Sequence, residues 1–290
     1  MRIGTRGSAL ALVQAESVAA RLRAAGHQAD LIKVRTAGDR GERAADKSRW
    51  VQELEQALHD GRIDLAVHSA KDVPTEVPEE FRLIAVPGRE DPRDALCGAG
   101  TLAELPSGSR VGTSSLRRRA QLRALRADLD VVELRGNVDT RLAKLEAGEV
   151  DAVVLALAGL IRLGRQAEAG CALDELVPAA GQGTLVVEAA HGSPHEETVE
   201  NALHDLTTDA CLRAERELMR HLGASCHTPV GAHARQVGAS LRMRAWVGLP
   251  DGSEWIADEL TEPPGDVAAS LYERMRAMGA EELLRRAEAS

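Results

Sequence analysis

The chain has very few aromatic residues: Phe, Trp and Tyr together make up 2% of its 290 residues. Its cores must therefore consist mainly of Leu, Val, Ile and Ala. Lysine is also scarce, because only four of the 36 basic residues are lysines. The remaining composition, 44% hydrophobic and 28% charged, is typical of a globular protein long enough for two or three domains.

A net positive charge is missing as well. The formal net charge is −9 at pH 7, which argues against a nucleic acid or an anionic membrane as partner, since both require a basic face. An acidic protein with a local cluster of arginines is better suited to a small anionic ligand.

Signals for membranes, export and metals are absent too. No apolar run approaches the ~18–20 residues of a membrane span. The N-terminal segment contains Glu16 and lacks a small-residue cleavage site, so we expect no signal peptide. The four cysteines form no CxxC pair and have no metal-ligand spacing. We therefore expect a cytoplasmic protein without a metal.

Arginines are placed at the starts of two helices that follow strands. Residues 111–126 read VGTSSLRRRAQLRALR and residues 132–145 read VELRGNVDTRLAKL, each a strand, a short turn and a helical pattern. Arg117–Arg119 fall in the first turn of one helix, and Arg135 and Arg141 flank the start of the next. The helix dipole disfavours each such cation by ~0.3–1 kcal/mol. An anion bound by free backbone N–H groups and guanidinium groups would offset this cost.

An internal repeat organises the first two-thirds of the chain. RIGT at 2–5 matches RVGT at 110–113, and residues 53–70 match residues 141–158. The longer match contains a helix, a glycine C-cap and an apolar strand. The repeat predicts two similar doubly wound α/β domains, whose ligands bind beyond the carboxyl ends of the strands. We expect the two domains to share a cleft.

The predicted domain boundaries follow from this repeat. The first α/β domain is expected over 1–88 with 184–202, and the second over 91–178. Residues 206–290 are predicted to form a smaller α+β domain with a three-stranded antiparallel sheet and a last helix over roughly 265–288.

The segment DLAVHSAKDVPT, residues 64–75, contains the first candidate for catalysis. A buried strand ends in a turn with His68, Ser69, Lys71 and Asp72. Titratable groups at the carboxyl end of a strand are typical of α/β active sites. The alternative is that Asp72 caps the turn and Lys71 is solvated, and spacing alone does not decide between the two.

The arginines also allow two interpretations. A single surface arginine is usually paired with a nearby acid, but several at matching strand-to-helix junctions favour a binding site. Arg119 is expected to be solvated. The candidate binding arginines are Arg6, Arg117, Arg118, Arg135, Arg141 and Arg162.

Cys226 is the candidate for a reactive thiol, because it lies beside His227 in the irregular segment GASCHTP. This is a weak signal on its own. Cys97, Cys171 and Cys211 are expected to be small buried hydrophobic residues.

With these residues in place, the chain resembles the porphobilinogen deaminase family, also called hydroxymethylbilane synthases. The resemblance covers most of the chain in the family's order. The matching stretches are RIGTRGSALALVQA, DLAVHSAKDVP, REDPRDAL, VGTSSLRRRAQL, LRGNVDTRLAKL, LALAGLIRLG, AGQGTLVVE and LRAERELMRHLGASCHTPVG.

The resemblance implies a transferase of tetrapyrrole (haem) biosynthesis. The family condenses four porphobilinogen molecules head to tail and releases ammonia at each step. The product chain grows on a dipyrromethane cofactor, bound by a thioether to the cysteine that matches Cys226. The family's catalytic aspartate matches Asp72, which would stabilise the azafulvenium cation left by ammonia and assist the later deprotonation.

The resemblance also implies a set of residues that bind the cofactor and the substrate. Porphobilinogen carries an acetate and a propionate group, which suits arginine. A periplasmic-binding-protein-like fold and a monomer are expected. The implied binding residues are Arg6, Ser8, Gln14, Lys47, His68, Ser69, Lys71, Thr113, Ser114, Ser115, Arg117, Arg118, Arg135, Gly136, Arg141, Arg162, Gln182 and Gly183.

One segment departs from the family. The family has a Gly- and Lys-rich lid loop, whereas residues 37–55 are shorter and lack its paired glycines; Arg43, Lys47 and Trp50 are the stand-ins. We expect residues 39–49 to act as a shortened, mobile lid. Trp50 either stacks on a pyrrole ring or anchors the following helix in the core.

Two classes of function are therefore compared. The first is the enzyme. The second is a non-catalytic, anion-binding module of the same fold with a truncated lid. Asp72 and Cys226 favour the enzyme, because a pure binding protein needs neither residue.

Overall fold

The computed structural model describes residues 1–34, 48–224 and 228–289. The chain divides into two compact units. The first unit comprises residues 1–90 and 183–209, and the second comprises residues 91–182 and 210–290.

Strands and helices alternate through most of the chain. In order they are β1 (Arg2–Thr5), α1 (Ala9–Ala24), β2 (Asp30–Lys33), α2 (Ser48–His59), β3 (Leu65–Ser69), β4 (Phe81–Ala85), β5 (Asp94–Cys97), β6 (Arg110–Thr113), α3 (Leu116–Leu125), β7 (Asp130–Glu133), α4 (Val138–Glu146), β8 (Ala152–Ala156), α5 (Leu157–Arg162), β9 (Cys171–Leu173), β10 (Leu185–Ala190), α6 (Glu196–Leu203), α7 (Leu206–His221), β11 (Val230–Val237), β12 (Ser240–Gly248), β13 (Trp255–Glu262), α8 (Val267–Ala277) and α9 (Ala280–Glu288).

The sheet of the first unit has the strand order β2-β1-β3-β10-β4. β1 is parallel to β2 and β3, whereas β10 is antiparallel to β3 and β4. Leu65 and Val67 pack with residues of α1 and α6 on one face, and Ala66 packs with Leu54 and Leu58 of α2 on the other. Helices thus cover both faces, which explains the continuous apolar sequence of β3.

The second unit contains an equivalent sheet, with the order β7-β6-β8-β5-β9. β6 is parallel to β7 and β8, and β5 is antiparallel to β8 and β9. Val154 packs with Leu122 of α3, and Val153 packs with Leu142 of α4 on the opposite face. The predicted pair of similar doubly wound sheets is therefore confirmed.

The predicted glycine caps are confirmed as well. Gly61 and Gly148 follow α2 and α4 with φ angles of 63° and 71°. This left-handed conformation is accessible to glycine at little cost. Both helices therefore end where the repeat predicts.

A three-stranded antiparallel sheet, β11-β12-β13, completes the second unit and confirms the expected C-terminal sheet. Its core includes Leu218 of α7, Met243 of β12 and Leu271 of α8. The expectation of one last helix is wrong, because Gly279, with a φ of 96°, separates α8 from α9. The division into three domains stays a prediction. No helix among the described residues is long and apolar enough to cross a membrane.

Candidate functional site

The turn that follows β3 carries Asp72, as the sequence predicts. A short 3-10 turn spans Ala70–Asp72, in which Lys71 and Asp72 are half-buried. The Gln14 side chain donates a hydrogen bond of 3.0 Å to the Ser69 hydroxyl, and the backbone N–H of Ala70 donates to the Thr184 carbonyl at 2.9 Å. Hydrogen bonds with Gln14 of α1 and with Thr184, the residue before β10, therefore hold this turn.

His68 lies directly before this turn and is 6% exposed. Its Nε2 is 2.9 Å from Oε2 of Glu188, a fully buried residue of β10. Sequence reasoning includes His68 in the binding set, but the structure places its side chain against a protein carboxylate. A direct contact between His68 and a ligand stays a prediction.

Arg6 and Trp50 contact each other in the first unit. The guanidinium carbon of Arg6 lies 3.8 Å from the centroid of the Trp50 ring, which is a cation–π geometry. The indole N–H of Trp50 is buried and has no acceptor among the described residues. Neither alternative considered for Trp50 anticipated this contact. Ser8, close by in the chain, caps α1 by accepting a hydrogen bond of 3.4 Å from the Ala11 N–H.

The start of α3 confirms the predicted placement of arginines in a first helical turn. The Ser115 hydroxyl caps this helix by accepting from the Arg118 N–H at 3.4 Å, and the Thr113 hydroxyl accepts from the Ser115 N–H at 3.2 Å. Arg117 donates through Nη1 to Oδ2 of Asp94 at 2.7 Å, and Arg118 donates through Nε to Oδ1 of Asp94 at 2.9 Å. The anion that offsets these two cations is thus a residue of β5.

Two buried guanidinium groups share the single Asp94 carboxylate. The side-chain amide of Gln182 also donates to Asp94, at 2.8 Å. Burial alone would raise the pKa of Asp94, but the charges of Arg117 and Arg118 outweigh it and hold this pKa well below its usual range. Burial and the charge of Arg117 lower the pKa of Arg118 despite its contact with Asp94. The two guanidinium groups carry two positive charges, and the carboxylate they share carries one negative charge.

Arg141 adds a third positive charge in the second unit. It donates through Nη2 to the Ser114 hydroxyl at 3.0 Å, while its buried Nε has no acceptor among the described residues. Burial, and then repulsion by Arg118, lower the pKa of Arg141 to about 10. An anionic group would both pair with the Nε–H and relieve this repulsion.

The other predicted binding residues have more varied surroundings. Arg135 is exposed, and its Nε lies 2.7 Å from a carboxylate oxygen of Glu133. This matches the alternative in which a surface arginine pairs with a nearby acid. Arg119 is half-buried, with a buried Nε that has no acceptor among the described residues, and solvation of the rest of its side chain stays a prediction. Arg162 is half-buried in the last turn of α5.

Two glycines of the set lie in connecting segments. Gly136 lies in the turn between β7 and α4, and the Gly183 carbonyl accepts from the Glu90 N–H at 3.1 Å. Arg43, Lys47 and Cys226 lie outside the described residues, as do residues 39–47 of the expected lid.

Sequence reasoning missed Asp94 and Glu188. Each is an acid at the start of, or within, a strand whose other residues are apolar: DALC for β5 and LVVEAA for β10. A buried carboxylate requires a partner. A lone acid in an apolar strand is therefore the signal that could have identified both residues.

The geometry defines an α/β protein with a polar turn after a buried strand and with uncompensated arginines at a helix start. Residues 1–198 match the family described as porphobilinogen deaminase, dipyromethane cofactor binding domain, and residues 210–276 match its C-terminal domain. The chain belongs to the porphobilinogen deaminase family.

Named relatives agree over almost the whole chain. Porphobilinogen deaminase of Rubrobacter xylanophilus is 48% identical over 97% of this chain and 95% of its own length. The protein of the same name from Deinococcus deserti is 46% identical over 97% of each chain. The crystal structure of the methionine-binding protein MetQ aligns with a TM-score of 0.46 at 14% identity, over 70% of this chain and 89% of that one. A structural similarity this low decides neither the fold nor the ligand.

Proposed function

We propose that this chain is a hydroxymethylbilane synthase, a cytoplasmic, monomeric transferase of tetrapyrrole biosynthesis. It would join four porphobilinogen molecules head to tail and release one ammonia per condensation. The observation that carries the proposal is the charge imbalance in the second unit. Arg117, Arg118 and Arg141 are buried or half-buried. Among the described residues, the Asp94 carboxylate contacts Arg117 and Arg118, whereas Arg141 donates to the Ser114 hydroxyl.

This imbalance suits a ligand with several carboxylates. A buried charge is costly unless it is paired, and among the described residues Arg117, Arg118 and Arg141 outnumber the Asp94 carboxylate by two charges. Acetate and propionate groups of pyrroles supply charges of the required sign. Guanidinium groups bind such carboxylates through two parallel hydrogen bonds.

The same residues fit a dipyrromethane cofactor. The Nε–H groups of Arg117 and Arg141 are buried without acceptors among the described residues, and Ser114 is exposed beside Arg141. We propose that these three residues hold cofactor carboxylates and that Cys226 forms the thioether. When bound, the cofactor supplies the pyrrole carbon to which substrate is added.

Asp72 is the proposed catalytic residue. Departure of ammonia from porphobilinogen leaves an azafulvenium cation on the substrate, and a carboxylate stabilises both its charge and its pyrrole N–H. After the new C–C bond forms, the same carboxylate can take up the proton that the ring carbon loses. The hydrogen bonds at Ser69 and Ala70 hold the Asp72 turn in place.

Intact-protein mass spectrometry with a thiol count tests the cofactor assignment. We expect the purified protein to exceed its sequence mass by two pyrrole units. In denaturant, three of its four cysteines should react with a thiol reagent. Peptide mapping should place the adduct on Cys226. Active protein with an unmodified Cys226, or an adduct on another cysteine, would contradict the proposal.

Asp72→Asn tests the catalytic assignment. The substitution keeps the shape of the side chain but removes its charge, so kcat should fall by roughly 10²–10³. The mass of the cofactor adduct should not change. Near-normal kcat would rule out Asp72 as the catalytic group. Binding of porphobilinogen by the parent protein without release of ammonia would indicate the non-catalytic binding module instead.

A further inference from the structure

A buried pair of ionisable residues lies immediately before the Asp72 turn. His68 and Glu188 are 6% and 0% exposed, and their side chains connect β3 to its antiparallel neighbour β10 at 2.9 Å. The second carboxylate oxygen of Glu188, Oε1, is buried and has no hydrogen-bond partner among the described residues.

This pair is expensive to bury. Apolar residues at positions 68 and 188 would extend the core between the sheet and α2, which contains Ala66 and Leu54. Helix α2 packs against both strands and carries a third ionisable group, Glu55. Burial and then the charge of Glu188 raise the pKa of Glu55. Buried ion pairs are often less stabilising than apolar replacements, so overall stability does not account for this pair.

The position of the pair indicates what it does. In the register of β3 and β10, His68 lies opposite Val186, and Leu185 lies opposite Ser69. The turn that ends at Asp72 begins one residue later. The His68–Glu188 bond therefore fixes the end of β3 against β10 at the point where the chain leaves the sheet.

We propose that Glu188, acting through His68, is a positioning residue for Asp72. The proposal rests on the catalytic role of Asp72 given above. Glu188 holds the His68 ring, His68 fixes the last residues of β3, and this sets the direction in which the turn presents the Asp72 carboxylate. A displacement of about 1 Å in a reacting group can lower a rate about a hundredfold.

Two substitutions separate positioning from packing. Glu188→Gln keeps a hydrogen-bond acceptor for His68 but removes the charge, whereas Glu188→Ala removes both. We expect kcat to fall roughly tenfold in the first variant and up to about a hundredfold in the second. In both, the KM for porphobilinogen and the cofactor mass should stay within twofold of the parent values.

Glu215→Gln is the matched control. Glu215 is also fully buried and also contacts a histidine, His233, at 3.3 Å, but it lies in the second unit and accepts from the N–H groups of Gly181 and Ala234. Glu215→Gln should lower the melting temperature about as much as Glu188→Gln does. It should change the kcat of the folded protein less than twofold.

A double-mutant cycle tests whether Glu188 acts through Asp72. If it does, Glu188→Gln should lower the residual rate of Asp72→Asn less than twofold, because contacting or coupled sites are not additive. If Glu188→Gln still lowered the rate tenfold in the Asp72→Asn variant, the proposal would be overturned. The same holds for kcat within twofold of the parent in Glu188→Ala, or for a rise in KM without a fall in kcat.

A second variant covers the case in which single substitutions do not fold. In His68→Leu/Glu188→Leu both polar partners are replaced, a change that is often neutral or stabilising. This variant should fold and retain cofactor, yet lose at least tenfold in kcat; full activity would overturn the proposal. If Asp72→Asn itself is fully active, the proposed function fails, and that result is distinct from every outcome at Glu188.

Discussion

Asp94→Asn removes the carboxylate that Arg117 and Arg118 share, and we expect it to destabilise the second unit strongly. Both guanidinium groups would stay buried with no formal negative charge among their described partners. The asparagine oxygen can still accept one hydrogen bond, but it cannot offset either charge. The variant therefore measures what the shared carboxylate contributes to folding.

The expected magnitude follows from burial. Breaking a buried ion pair by removing one partner costs about 3–5 kcal/mol, against a total stability of about 5–15 kcal/mol for a typical domain. For a unit of this size each kcal/mol lowers Tm by roughly 2–4 °C, so we expect a decrease of roughly 6–20 °C.

The effect should also depend on pH. The pKa of Asp94 is lower in the folded chain than in the unfolded chain. Its contribution to stability is therefore fully present above the unfolded value of about 3.9 and is lost as the pH falls below it. The difference in Tm between the parent and Asp94→Asn should begin to shrink as the pH falls below about 5 and should continue to shrink below pH 3, towards the folded-state pKa.

Asp128→Asn provides the control for this experiment. Asp128 contacts Arg126 at 2.7 Å, the same distance that joins Asp94 to Arg117, but its side chain is 40% exposed. Solvent screens such a pair, so its removal should hardly change Tm. Thermal unfolding followed by circular dichroism would measure both variants. Equal shifts, or an Asp94→Asn protein as stable as the parent, would refute the reasoning from burial.

Three further outcomes are expected. Arg141→Gln should not lower Tm, because burial already disfavours the charge of Arg141, but the fraction of protein carrying cofactor should fall by intact mass; a less stable variant with full cofactor would contradict this. Cys97 should be the slowest described cysteine to react with a thiol reagent at pH 8, because burial raises its pKa to about 11; faster modification in peptide maps would count against it. Trp50→Leu should raise the KM for porphobilinogen, since Arg6 loses its aromatic partner. Substrate-dependent quenching of tryptophan fluorescence should disappear in Trp50→Leu and persist in Trp246→Phe, and persistence in both would exclude a role for Trp50.

Local patterns predicted much of the fold. The glycines after α2 and α4, the arginines in the first turn of α3 and the polar turn after β3 all lie where the sequence indicates. Each of these features depends on neighbouring residues, because capping and helical periodicity act over a few positions. The C-terminal helix is the exception among such local features, since its pattern continues across Gly279 although the backbone does not.

Partners across the sheets could not be predicted in the same way. Asp94 lies 23 residues from Arg117, and Glu188 lies 120 residues from His68. These pairs form because an antiparallel strand, β10 or β5, lies beside the central strand of each sheet. Periodicity indicates that a strand is buried, but it does not indicate which strand lies next to it.

The two acids lie on corresponding strands of the two sheets but at different positions along them: Glu188 is opposite Ala66 of β3, whereas Asp94 is opposite Ala156, the last residue of β8. β10 lies beside β3 in the first sheet and carries Glu188, and β5 lies beside β8 in the second and carries Asp94. Within the described parts of the chain, Glu188 contacts the ionisable side chain of His68, whereas Asp94 contacts the permanent cations Arg117 and Arg118.

The surroundings of the acid differ accordingly. In the first unit Glu188 contacts His68, and the turn beyond β3 carries the Asp72 carboxylate. In the second unit cations outnumber the acid, so positive charge remains for a ligand. The antiparallel strand of each repeated sheet therefore carries one buried acid, and the number of cations around that acid differs between the two units.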